Sequence, residues 1–220
     1  MTSIAAGVEA RARLSEGRSS DPIYATVAGM LAASDARGVV ADVGCGSGGL
    51  WPVLKDRFSG CIGLDAARYD GLAREIDFRA TDFNAGRLPL DDGSVDAAVA
   101  VEVIEHLENP RAFARELARV VRPGGWVAVS TPNQLSLLSL LTLAIKGRFS
   151  AFQDSEYPAH LTALLEVDLR RILAEAGLRD IRVAYTRRGR MPFTGLHYPA
   201  ALASLAPRWL SDNVVAAGRR

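Results

Sequence analysis

Cysteine, histidine, net charge and long apolar runs are all scarce in this chain, and each shortage excludes a class of protein. Two cysteines, Cys45 and Cys61, among 220 residues cannot build a disulfide framework; that usage fits a reducing cytosol, and a cytoplasmic location is expected. The longest apolar run, Leu135 to Ile145, is interrupted by Ser136, Ser139 and Thr142 and falls short of the ~20 residues that span a bilayer. Glu9, Arg11, Arg13 and Glu16 stand where a secretory leader would carry its apolar core. With 26 basic against 25 acidic residues the net charge is +1, so no overall field recruits nucleic acid. The length suits one domain over residues 1–220, since such a chain buries roughly 70% of its unfolded surface.

What the chain does have is a β-to-glycine switch. Val39 to Val43 suits a buried strand, and Gly44, Gly46 and Gly48 follow at every second position. Leu50, Val53, Leu54 and Phe58 then take helical spacing, which predicts a glycine turn at a helix N-terminus with backbone N–H groups available to an anion. Gly60 to Leu64 reads as a second strand, and it ends in Asp65, 21 residues after Gly44. That is the separation at which a ribose diol is held in Rossmann-type folds.

Alternation continues beyond this point. A short helix near 68–73, a strand over 76–80, a central strand over Val95–Val101, and a helix capped by Asn109-Pro110 and stopped by Pro123-Gly124-Gly125 are predicted. Trp126–Ser130, Leu178–Thr186 and Asp212–Ala217 complete seven strands, with a helix over Glu166–Ala176. Such alternation implies parallel strands joined by right-handed crossovers. Ahead of it lies a lead-in over 1–36, with one helix over 1–17 and another from Asp21-Pro22 to Ala33.

The A-D-V-G-C-G-S-G-G turn, Asp65, Thr81-Asp82-Phe83 and the run from Asp96 to His106 together resemble the class I S-adenosylmethionine-dependent methyltransferases. Within that superfamily the pattern is most similar to ubiquinone-biosynthesis-type and related small-molecule O-methyltransferases. The resemblance covers residues 37–186 and the tail. It implies an α/β, Rossmann-like seven-stranded sheet with the last strand antiparallel and helices on both faces. It also implies a cofactor site in which Gly44, Gly46 and Gly48 meet the methionine moiety and Asp42 its ammonium. Asp65 would take the ribose hydroxyls, Asp82 the adenine amino group and Phe83 the ring, with Glu102 lining the pocket. The lead-in segment would cover the cofactor. The turn is G-x-G-x-G rather than G-x-G-x-x-G, which argues against an NAD-dependent dehydrogenase.

Methyl transfer to a hydroxyl needs a positioned acceptor and somewhere for its proton to go. Only three histidines are present, and two, His106 and His160, flank the expected substrate position. If the chain turns helically after the central strand, Glu102, Glu105 and His106 share a face. With His160 they could ligate Mg²⁺, Mn²⁺ or Zn²⁺, or His106 or His160 could act as general base beside Glu105, or the cluster could simply line the pocket. His197 reads as a surface or lid residue.

Two stretches break the alternation, 131–165 and 187–211, each apolar with basic residues at its edge. They are expected to form a lid or a homodimer surface, or else a peripheral membrane contact. The reading is therefore O-methylation of a small-molecule or lipid hydroxyl, with no nucleic acid favoured. Its alternatives are a non-catalytic S-adenosylmethionine-binding protein and an RNA 2′-O-methyltransferase.

Overall fold

The computed structural model describes residues 17–220, so all of the first predicted helix except Gly17 lies outside the described residues. The described chain opens with α1 (Asp21–Ala33), started by Pro22 in its first turn, and enters β1 (Gly38–Val43). Next come α2 (Trp51–Leu54), β2 (Phe58–Asp65), β3 (Asp77–Ala80) and β4 (Val95–Val101). After them follow α3 (Pro110–Val120), β5 (Val121–Pro132), α4 (Leu137–Lys146) and α5 (Glu166–Glu175). β6 (Arg179–Tyr185), α6 (Ala200–Leu205) and β7 (Asn213–Arg219) close the chain.

The strands form one sheet in the order β3-β2-β1-β4-β5-β7-β6. β1 to β5 are mutually parallel, whereas β7 runs antiparallel to both β5 and β6. The expected topology is thus the observed one. Burial on both faces explains why β4 and β5 read as nearly continuous apolar runs. One core packs Phe113, Leu117, Leu169 and Leu173 of α3 and α5 against one face, and the other packs Ile23, Val27 and Leu31 of α1 with Trp51 and Leu54 against the opposite face. Among the described residues no helix is long and apolar enough to cross a membrane.

Four local expectations are corrected by tertiary pairing. Phe58, read as part of a helix face, begins β2 opposite Gly38 and is buried, so the helix after the glycine turn lasts four residues. Residues 68–73 form turns rather than a helix, with Gly71 at φ +87°. Pro123-Gly124-Gly125 does not end α3, because Val121 already pairs with Val95; the three residues bulge within β5 before Trp126 pairs with Ala97. Glu102 takes φ +53°, which breaks helical phase between it and the 3₁₀ turn Ile104–His106.

Candidate active site

The glycine turn is pinned from below and from above. Gly44 and Cys45 N–H both donate to the Leu64 carbonyl of β2, at 2.7 and 3.0 Å. Asp65, one residue on, accepts from Gly46 N–H through Oδ2 at 2.9 Å and from Ala66 N–H through Oδ1 at 2.7 Å. From above, Ser47 N–H donates to the Gly17 carbonyl at 2.8 Å, so the end of the lead-in crosses the turn. Glycine is required at 44 and 46 for close approach. A Cβ would fall 2.3 Å from Cγ2 of Val103 at the first, and 2.0 Å from the Gly17 carbonyl at the second, both at positive φ.

Gly48 instead packs toward Leu72 and Ile76. Of the three glycines only Gly44 borders the cavity described below, and the N–H groups of residues 44–48 donate within the protein. These five bonds hold the shape of the turn itself.

A cavity of about 520 Å³ lies at the carboxyl ends of β1, β2 and β4, where open α/β sheets bind ligands. Asp42 and Asp65 line it. Asp42 is 3% exposed and its Oδ2 has no hydrogen-bond partner. Burial, then the neighbouring Asp65 charge, pushes its carboxyl up to about 7. Burial raises Asp65 as well, against the hydrogen bonds from Gly46 and Ala66. Phe83 lines the cavity and tilts against Phe113 at 6.0 Å between ring centroids. Asp82 also lines it, while its Oδ1 caps the short turn Phe83–Ala85 by accepting from Asn84 N–H at 2.9 Å.

The two histidines line the same cavity. His106 Nδ1 lies 2.8 Å from the Ala159 carbonyl and His160 Nδ1 bonds the Ala151 carbonyl. A carbonyl can only accept, so each Nδ1 carries a proton, which in the neutral tautomer leaves the lone pair on Nε2. Burial lowers the pKa of His106, which favours that neutral ring. The rings are 4.7 Å apart between centroids. Glu105 is wholly buried, and neither carboxylate oxygen is within full hydrogen-bond geometry of a partner; the Thr131 hydroxyl, also buried, is the neighbour that favours its charged form. Burial, aided by the Glu102 charge, holds the Glu105 carboxyl well above the usual range.

One ligand atom each from Glu105, His106 and His160 lie within 4.8 Å of one another. Glu102 departs from the expected foursome. It lines the cavity, but its N–H donates to Ser130 Oγ at 3.0 Å and its Oε1 accepts from Asn213 Nδ2 at 2.7 Å. The broken helical phase turns it toward β7 and away from the other three.

Several site residues have no signal in the sequence. Ser155–Ala159 walls the cavity beside His160, Tyr24 lines it while accepting from Ser19 N–H at 2.9 Å, and Asn213 orients Glu102 from 111 positions away. His197 is exposed, in a bridge with Arg190. Neither α4 nor any residue of 187–211 borders the cavity. Within the insertions 131–165 and 187–211, only 155–160 border the cavity.

Comparison with known proteins agrees with this geometry. Residues 41–129 match the family model described as a methyltransferase domain. A probable S-adenosylmethionine-dependent methyltransferase of Mycolicibacterium smegmatis is 34% identical over 170 residues, covering 73% of this chain and 58% of that protein. A ubiquinone biosynthesis O-methyltransferase of Chromobacterium violaceum is 33% identical over 47% of this chain and 48% of its own length. The chain thus spans about half the length of these relatives. Among solved structures, a SAM-dependent methyltransferase from Archaeoglobus fulgidus superposes with a TM-score of 0.63 at 16% identity, covering 90% of this chain and 94% of that one, a likeness of fold.

Proposed function

We propose that this chain, which carries a class I S-adenosylmethionine-dependent methyltransferase domain, transfers a methyl group from S-adenosylmethionine to a hydroxyl of a small-molecule or lipid acceptor. The observation that carries this reading is one cavity lined both by a buried carboxylate with an unpartnered oxygen and by two imidazoles whose Nδ1 atoms bond backbone carbonyls.

The residues fit the cofactor. An orphaned, buried Asp42 oxygen calls for a cation, and the ammonium of a methionine moiety supplies one. Asp65 keeps lone pairs after accepting from Gly46 and Ala66, and these suit a ribose diol. Phe83 suits the adenine ring, and Asp82 can take its amino group through the oxygen not used as a cap.

When bound, the sulfonium supplies an electrophilic methyl group. What remains for the chain is to hold a hydroxyl in line and to accept its proton. His106 and His160 offer Nε2 for that task, their rings oriented by the Ala159 and Ala151 carbonyls. Glu105, His106 and His160 could also hold Mg²⁺, Mn²⁺ or Zn²⁺, since two imidazoles and one carboxylate leave coordination positions for an acceptor oxygen.

Titration with S-adenosylhomocysteine, S-adenosylmethionine and NAD tests the cofactor; binding of NAD alone would overturn the reading. Exhaustive chelation then separates the two roles of the histidines. If a cation is held, chelation abolishes transfer and leaves S-adenosylhomocysteine affinity unchanged. If His106 or His160 is the base, activity survives chelation and is lost in His106→Ala or His160→Ala respectively.

Asp42 adds a pH signature. Its folded pKa of about 7 lies above the ordinary 3.8, so the ligand-free fold holds a proton that the unfolded chain releases. That stabilising contribution is complete below about pH 4 and is lost as pH rises through about 7. A cationic ligand prefers the ionised carboxylate, so cofactor affinity should run the other way. S-adenosylhomocysteine binding is expected to strengthen up to about tenfold per unit between about pH 5.5 and 7 and then level off. Calorimetry across that range in wild type and Asp42→Asn checks it; an identical slope in both would remove Asp42 from the site.

A further inference from the structure

Two stretches that take no part in the cavity, one within the first insertion and one that makes up the second, share an unusual surface. Residues 133–150 and 187–211 contain six Lys or Arg and no Asp or Glu, which leaves 20 basic and 25 acidic residues, net −5, on the rest of the chain. Of the thirteen large apolar side chains most exposed among the described residues, nine lie on these two stretches. They include Leu137 and Ile145 of α4, and Phe193, Leu196, Leu205 and Trp209 of the second stretch, with Phe193 87% and Leu205 83% exposed.

The stretches adjoin. Leu137 N–H, at the start of α4, donates to the Trp209 carbonyl at 2.9 Å. The buried Asn133 donates through Nδ2 to the Arg208 and Ser211 carbonyls, both at 2.8 Å. Arg148 and Arg190 are paired with Asp154 and Asp212. Lys146, Arg187, Arg188 and Arg208 are exposed, and no carboxylate pairs with them among the described residues.

We propose that this face docks on the surface of an anionic lipid bilayer. Apolar side chains rimmed by unpaired cations are what an interfacial segment presents, the first entering the acyl boundary and the second meeting lipid phosphates. The charge count disfavours a second copy. A two-fold interface sets a patch against itself, and here that would oppose four unpaired cations, Lys146, Arg187, Arg188 and Arg208, to the same four on the other copy. Nucleic acid would engage the cations but leave the leucines and Phe193 in water. From α4 the chain runs through Phe152, whose ring is 5.3 Å from that of His160, to the 155–160 wall, so one chain segment links this face to the cavity. The docking itself does not depend on the reaction proposed above.

Co-sedimentation of the full chain with phosphatidylcholine vesicles, with and without phosphatidylglycerol, tests the proposal. Binding is expected only to the anionic vesicles, weakening as salt shortens the Debye length to a few ångström, about 3 Å at 1 M. Arg187→Glu with Arg188→Glu should reduce binding at least about tenfold. Leu205→Asp and Phe193→Asp, at sites exposed enough to leave the fold intact, should reduce it similarly. S-adenosylhomocysteine affinity should stay unchanged in all three variants, because none of these residues lines the cavity; that readout reports folding and is separate from docking. Equal binding to neutral vesicles would overturn the electrostatic basis. Failure to bind either vesicle would overturn the proposal, whether the protein is then monomeric or forms a dimer that Leu205→Asp dissociates.

Discussion

Glu105→Leu is expected to give a protein more stable than the natural one and much slower at methyl transfer. Glu105 is wholly buried and neither oxygen has a partner, a situation that costs about 1–3 kcal/mol for a polar group. Leucine removes that cost at similar volume, so the ligand-free protein should gain about that amount, or a few degrees in Tm. The gain should grow with pH. The native carboxyl titrates well above its ordinary 4.5, so in the natural protein stability is full below that value and drains away as pH rises toward the folded pKa.

Activity should fall by about 10²-fold or more, the scale of losing a group that handles the acceptor proton or its metal. Opposite signs for stability and turnover mark a residue kept for function. Denaturant unfolding of the ligand-free protein beside a methyl-transfer assay decides the matter. A destabilised variant whose activity falls only in proportion to its folded fraction would make Glu105 structural.

Asp65→Ala should have the largest effect on cofactor affinity. The carboxylate is expected to hold the ribose hydroxyls, and it also fastens Gly46 and Ala66 N–H, so its removal loosens the glycine turn as well. Charge-assisted hydrogen bonds contribute more than neutral ones, and losing the set should cost about 3 kcal/mol, roughly a hundredfold in S-adenosylhomocysteine dissociation constant. Asp65→Asn keeps one acceptor oxygen and should fall between. Calorimetry on variants shown to be folded by near-ultraviolet dichroism checks this, and an unchanged constant in Asp65→Ala would remove Asp65 from the ribose.

Much of the frame was legible because it is written in local patterns. Alternating helix and strand periodicity, an apolar β4, Asn109-Pro110 at the start of α3 and the glycine turn between β1 and α2 each depend on a few consecutive residues. The same holds for Asp42 and Asp65, which stand at the carboxyl ends of β1 and β2 because their strands end there. Where local reading failed, pairing outweighed it. Phe58 had helical spacing, yet pairing opposite Gly38 drew it into the sheet.

The sequence by itself determined the sheet, the two carboxylates and the presence of Glu105, His106 and His160 near one edge, since each follows from spacing along the chain. Only the tertiary structure decided which groups meet. β7 inserts between β5 and β6, and this brings Asn213 to Glu102 and takes that carboxylate out of the cluster with the histidines. The path after α4 places 155–160, rather than the leucine-rich helix, against the cavity, and Asn133 ties that helix to 208–211 with its apolar side chains in the open. Spacing along a chain reports which side of an element a residue occupies, whereas what lies opposite that side depends on strand order and on loops that cross more than a hundred positions.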